Sequence, residues 1–243
     1  MKGEIDQRPK RFYQQADVAP ANDGWAVALD GKPLRTPAKR GLILPNRALA
    51  QVLADEWNAQ GERIDLATMH GNRLANVALD HAPAARADLV AEAARYAETD
   101  LVCHLAERPG ELVRRQDEAW APLRAWAETE LGVRLIPVEG IIAARQPAES
   151  IAAVRDHAAT LDVFRLTALV HAIALFGSAV IGLAVERGRI SAVEAHRLSL
   201  VDEDFQISQW GEDAEAARRR KLMLAEAMAL DLWFDALRTS ETD

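Results

Sequence analysis

Small and large residues alternate from Gly24 to Leu29, which sets Trp25, Val27 and Leu29 on one face of a strand. A looser alternation over Arg11 to Val18 predicts another strand before it. Asp30-Gly31 follows at once, a hairpin signal because a primed turn needs positive φ. The return limb, Lys32 to Pro37, holds two prolines that cannot donate to a ladder, so it is an edge or stops early. Leu42 to Leu44 reads as one more short strand. The period then changes. Asn46 is placed to cap a helix in which Leu49, Val52, Leu53 and Trp57 share a face, and Gly61 closes it. A second helical run carries Leu74, Val77 and Asp80, and Pro83 breaks it. These signals predict an α+β N-terminal domain over 1–84, built on a β-hairpin-rich sheet.

Beyond it the helical period dominates. Leu89 to Ala106, Glu111 to Leu131, Ala148 to Thr160, Leu161 to Arg187, Ser191 to Trp210 and Glu212 to Leu237 read as six helices, with one extended piece at Val133 to Val138. The expectation is an all-α helical bundle domain over 85–243. Leu166 to Val185 has the length of a membrane span. It is rich in Ala, Gly, Ser and Thr, contains His171 and ends in Glu186-Arg187, so it is read as the central helix of a bundle, with no stable membrane insertion. Ser191 with Glu194 forms a capping box that opens the helix running to Trp210, and Gly211 stops it. On a wheel Leu198, Val201 and Phe205 fall on one side and Val193, Leu200 and Ile207 on the other. A helix apolar on both sides is wedged between neighbours. Asp204 then lies in the narrow gap between the stripes as the internal partner, while Asp202 and Glu203 are the better placed for outside contact.

Composition narrows the function. The 243 residues are 49% apolar and only 5% aromatic, and the net charge of −8 disfavours nucleic acid, whose binders carry a basic footprint. The single Cys103 lies in an apolar run and reads as a buried structural thiol. The first residues lack an apolar core and carry acids, unlike an export or organelle signal, which points to a reducing cytoplasm. The six histidines have neither His-x-x-x-His nor Glu-x-x-His spacing, and the glycines form no phosphate loop, so neither a metal nor a cofactor is expected. Arg218 to Lys221 reads as a solvated face. Asp202, Glu203 and Asp204 point about 100° apart and cannot converge on one substrate atom from this helix alone. The alternative is a small soluble enzyme that uses helix 200–211, with His196 or a distant histidine, for acid/base chemistry.

A set of short motifs in order carries a resemblance. They are Arg11-Phe12-Tyr13, Leu29 to Pro37, Glu56-Trp57, Thr68-Met69, Asn76 with Asp80, Thr99-Asp100, Trp120-Ala-Pro122 with Trp126, and Asp202 to Gln206 with Trp210-Gly211. From about Arg11 to Leu237 the chain resembles the assembly chaperones for the alpha subunit of the F-type ATP synthase catalytic head, of mitochondrial type with bacterial relatives. The resemblance implies a β-rich N-terminal and a helical C-terminal domain, no enzymatic activity, and binding of free alpha before it meets beta. It also implies a bacterial cytoplasmic location, with the mitochondrial matrix for eukaryotic relatives; a monomer is the expected working form. It assigns the critical acidic position to Asp202 and Glu203 jointly, because Asp-Glu-Asp-Phe-Gln stands here where relatives often carry a glutamate run before Tyr-Gln. Phe205, Gln206 and Trp210 join them as partner-binding residues, and Trp25, Asp30, Gly31, Trp57 and Asp204 are assigned structural roles, Trp25 by packing on the helix that carries Trp57. An adaptor for the finished synthase is a third reading, distinguished by staying bound after assembly.

Overall fold

A computed structural model describes residues 7–140 and 144–239. Residues 1–6, part of the N-terminal stretch expected to lack a targeting signal, lie outside them. The chain divides into two compact units, one of residues up to Pro83 with those from Asp235 onward, the other from Ala84 to Phe234.

In the first unit β2 (Gly24–Leu29) is central. It pairs antiparallel with β1 (Ala16–Ala21), β3 (Lys32–Pro33) and β4 (Ile43–Leu44), and Val18 stands opposite Val27. Its residues from Ala26 to Leu29 are all buried, so both strand faces are covered rather than one. Asp30 and Gly31 make the expected turn at φ 47° and 79°. The Asp30 carboxylate also accepts the amides of Gln15 and Gln14 at 3.0–3.1 Å, and these donors hold it below the usual carboxylate range. The first strand begins at Ala16, not Arg11, because the preceding residues strap the end of a helix instead. The Arg11 guanidinium donates to the carbonyls of Gln14 and Gln60 at 2.6 Å, and the Tyr13 hydroxyl donates to that of Trp57 at 2.6 Å.

That helix is α1 (Arg47–Asn58), capped by the Asn46 side chain on the Leu49 amide at 2.8 Å. Trp25 and Trp57 sit at its opposite ends. The Arg47 guanidinium lies 6.0 Å from the Trp25 ring, whereas Trp57 meets Tyr13 edge to face and donates to Asn72 at 2.8 Å. Next comes α2 (His70–Asp80), which lacks a side-chain cap of its own at Met69. Glu56 supplies one from α1, accepting the amides of Gly71 and Asn72 at 2.7 and 2.9 Å. A carboxylate there also meets the positive end of the helix dipole. At the far end Asp80 accepts from Thr36 at 2.7 Å and from the Ala38 amide at 3.0 Å, fastening the hairpin limb to α2.

The second unit is largely helical: α3 (Ala82–Tyr96), α4 (Gly110–Leu131), α5 (Ala148–Thr160), α6 (Val163–Phe176), α7 (Ala179–Glu186), α8 (Ala192–Ser199), α9 (Val201–Trp210) and most of α10 (Ala214–Thr239). Pro83 sits in the first turn of α3, where its missing amide costs nothing. The helix expected to reach Ala106 ends at Tyr96, and His104–Leu105 becomes β5, paired in parallel with β6 (Val138–Glu139). The long apolar run is two helices. Gly177 at φ 68° ends α6, and the Ser178 hydroxyl accepts the Ile181 amide at 3.0 Å to start α7. Gly182 permits their close approach, since a Cβ there would meet Ile173 Cγ1 at 2.4 Å. Among the described residues no helix is long and apolar enough to cross a membrane. Fully buried Asp100 accepts the amides of Val102 and Val180 at 3.1 Å. Burial pushes its carboxyl up to about 6 against the pull of these donors, and pushes the buried Cys103 thiol up to about 12.

Two outcomes follow. Glu56→Ala should lower stability to urea by about 1–3 kcal/mol, the cost of stripping acceptors from helix amides. Asp100 binds its proton more tightly folded than unfolded, so its contribution is full below the ordinary carboxylate pKa and is lost as pH rises through about 6. The stability gap between wild type and Asp100→Asn should therefore shrink from pH 4 to pH 7, and urea midpoints across that range would contradict this by staying parallel.

Candidate functional site

The acidic helix is not the end of a longer one. Leu200, at φ −110° and ψ 15°, interrupts the run, so α8 and α9 have separate axes. Leu198 and Leu200, placed on opposite sides of the wheel, are both buried, as a helix wedged between neighbours requires, but Val193 of the second stripe is exposed, because one wheel cannot describe two axes. The break also puts Asp202, Glu203 and Asp204 in the first turn of α9, where the helix dipole favours negative charge.

The three carboxylates have different partners. Gln116 of α4 donates to Asp202 at 2.6 Å while its own carbonyl oxygen takes the Ala106 amide at 2.7 Å. Burial raises the Asp202 carboxyl above its ordinary value, with the Gln116 bond acting against it. Glu203 is bonded by Arg219 and lies 3.7 Å from Arg220. Asp204 accepts from Arg220 at 2.5 Å, and Glu212 approaches the same guanidinium at 3.3 Å. The side chain of Asp204 is 41% exposed and that of Glu203 is 23% exposed, so the two stand in the reverse of the order the wheel proposed. His196 contacts the Arg220 carbonyl at 3.2 Å, and burial lowers its pKa. Phe205 is buried beneath the Arg115 guanidinium, 5.4 Å from the ring, whereas Gln206 is exposed and Trp210 is 79% exposed.

The basic run is thus part of the site rather than a solvated face. After Gly211, at φ 84°, Asp213 caps α10 through the amides of Glu215 and Ala216, and the chain returns so that Glu203 meets Arg219 and Asp204 meets Arg220. A signal was present: three acids and three arginines are mirrored about a Gly-Glu-Asp turn. Gln116, far away in the chain, left no comparable trace.

Two grooves flank α9. One, of about 530 Å³, is lined by Leu101, Ile207, Trp210 and four carboxylates (Asp202, Glu203, Glu212, Asp213), with Arg219 among them. The other, of about 540 Å³, opens between α4, α8 and the Val201–Asp204 side of α9. Among the described residues no group of three His, Cys, Asp or Glu side chains is placed to hold a metal.

Comparison with known proteins agrees with this architecture. The sequence model of the family described as ATP12 chaperone protein matches residues 10–128. Protein atp12, mitochondrial, of Schizosaccharomyces pombe is 25% identical over 219 residues, 84% of this chain and 75% of that protein. The crystal structure of Atp12 from Paracoccus denitrificans superposes with a TM-score of 0.84 at 41% identity, over 92% of this chain and 98% of that one. The Atu1473 protein of Agrobacterium tumefaciens gives 0.89 at 40% identity, over 94% and 86%.

The ion pairs make a graded prediction. Arg220→Ala leaves Glu203, Asp204 and Glu212 without their shared partner and should cost about 1–2 kcal/mol in a urea melt. Arg219→Ala, on a more exposed side chain, should cost within about 0.5 kcal/mol. Equal losses would contradict the grading.

Proposed function

The chain belongs to the ATP12 chaperone family, and we propose that, as an ATP synthase assembly chaperone, it holds the unassembled alpha subunit of the catalytic head until beta arrives. The observation that carries this reading is Trp210, an indole left in water at the rim of a groove with aliphatic and acidic walls. Exposed tryptophans beside shape-forming pockets are where binding energy concentrates. A subunit bound for an obligate complex presents a large apolar interface before assembly, an aggregation hazard that such a groove can cover. In this reading Trp210 and Gln206 make direct contact, Phe205 seats the helix, and Asp202 and Glu203 set register against basic client groups. Charge of this kind contributes to specificity more than to affinity. The proposed compartment is the bacterial cytoplasm, with the mitochondrial matrix for relatives such as the S. pombe protein.

The test is light scattering by purified alpha subunit, with and without the chaperone. Trp210→Ala should leave the melting temperature unchanged and weaken capture of alpha by about 2 kcal/mol, roughly thirty-fold. Glu203→Lys should also lose protection, with a lower melting temperature because its pairs to α10 are broken. If both variants suppress alpha aggregation as well as wild type, the assignment fails.

A further inference from the structure

The second groove beside α9 has no part in the reading above. Its floor is aliphatic, made of Leu123, Ile190, Leu198 and Val201, and three arginines, Arg115, Arg189 and Arg197, stand along it. Pro122 lines it too, and a proline inside α4 brings no N–H, so the Glu118 carbonyl loses its helical donor. The carboxylates of the lining are already engaged: Glu118 with Arg114 at 3.7 Å, Glu194 with Arg197 at 3.9 Å, and Asp204 with Arg220. Arg189 is different. Among the described residues its guanidinium has no carboxylate or hydrogen-bond partner, and neither has that of Arg187, two residues earlier on the same turn about Gly188 at φ 69°. Of the lining arginines, Arg115 pairs with Glu111 at 2.5 Å and Arg197 with Glu194, so Arg189 brings a positive charge that the lining carboxylates do not offset, beside an apolar floor on a chain of net charge −8. It favours an anionic occupant, which the net charge of the remainder repels.

We infer that this cleft is a docking site for an acidic segment of a protein partner, with an aliphatic side chain on the floor and carboxylates on Arg189 and Arg197. Arginine suits the role because its planar fork binds a carboxylate through two parallel bonds. The Arg197 to Glu194 contact is long and exposed, so a better-placed carboxylate displaces it at little cost. The two grooves then have opposite preferences, one for basic and one for acidic chain, and α9 is the wall between them. The site does not depend on the alpha subunit being the client.

The test uses the full chain and a short fluorescent peptide of glutamates around two central leucines, with its lysine counterpart as the control. Wild type should bind the glutamate peptide at least ten-fold more tightly than the lysine one at low salt. Combined Arg189→Glu and Arg197→Glu substitutions should remove that preference without moving the melting temperature, since neither residue has a buried partner. Ala119→Trp, which fills the cleft without changing charge, should weaken the same peptide. Equal binding of the two peptides, or an undiminished preference in the double variant, overturns the proposal. Loss of alpha capture in Trp210→Ala with the peptide preference intact separates this site from the client groove.

Discussion

Arg220 decides what the acidic helix can present. Its guanidinium is shared by Asp204, Glu203 and Glu212, and so ties the first turn of α9 to the first turns of α10 across the Gly211 turn. With Gln116 holding Asp202 from the other side, the three neighbouring carboxylates face two different helices. A helix start crowded with negative charge would repel itself if left alone. Here the dipole, an amide and two arginines share the load.

That arrangement separates two tasks on one short helix. Its first turns are bound into the bundle, with Phe205 buried and Asp202 half-buried, while its second half leaves Gln206 and Trp210 in solvent. A surface meant to cover a client's apolar face needs an anchor that costs little entropy to order, and an indole on the end of a fixed helix meets that need. The acids around it are better suited to register than to holding power, because exposed pairs contribute little net free energy.

The same economy appears in the first unit, where conspicuous motif residues turn out to be fasteners. Asp30 closes its own hairpin, Glu56 caps a neighbouring helix, and Asp80 clasps the Thr36 limb. Each is a carboxylate engaged by donors of the fold around it, whereas Asp202, Glu203, Glu212 and Asp213 of the second unit line a groove beside Trp210.

Features that depend on a few consecutive residues were legible in the sequence. The Asp30-Gly31 turn, the Asn46 cap, the Ser191 cap and the stop at Gly211 are set by φ preferences and hydrogen bonds within a turn or two. Even the split of the long apolar run was foreshadowed by Gly177-Ser178, though hydropathy alone read it as one helix. The mirrored acids and arginines hinted that the two segments pair, but which way each of Asp202, Glu203 and Asp204 faces was not legible. It depended on one non-helical residue, Leu200, and on partners 86 positions upstream and 16 downstream, Gln116 and Arg219 with Arg220. A helical wheel assumes one straight axis and a uniform surrounding. The tertiary fold supplied neither, so local sequence determined where the chain turns, and packing between distant helices decided which charge meets which.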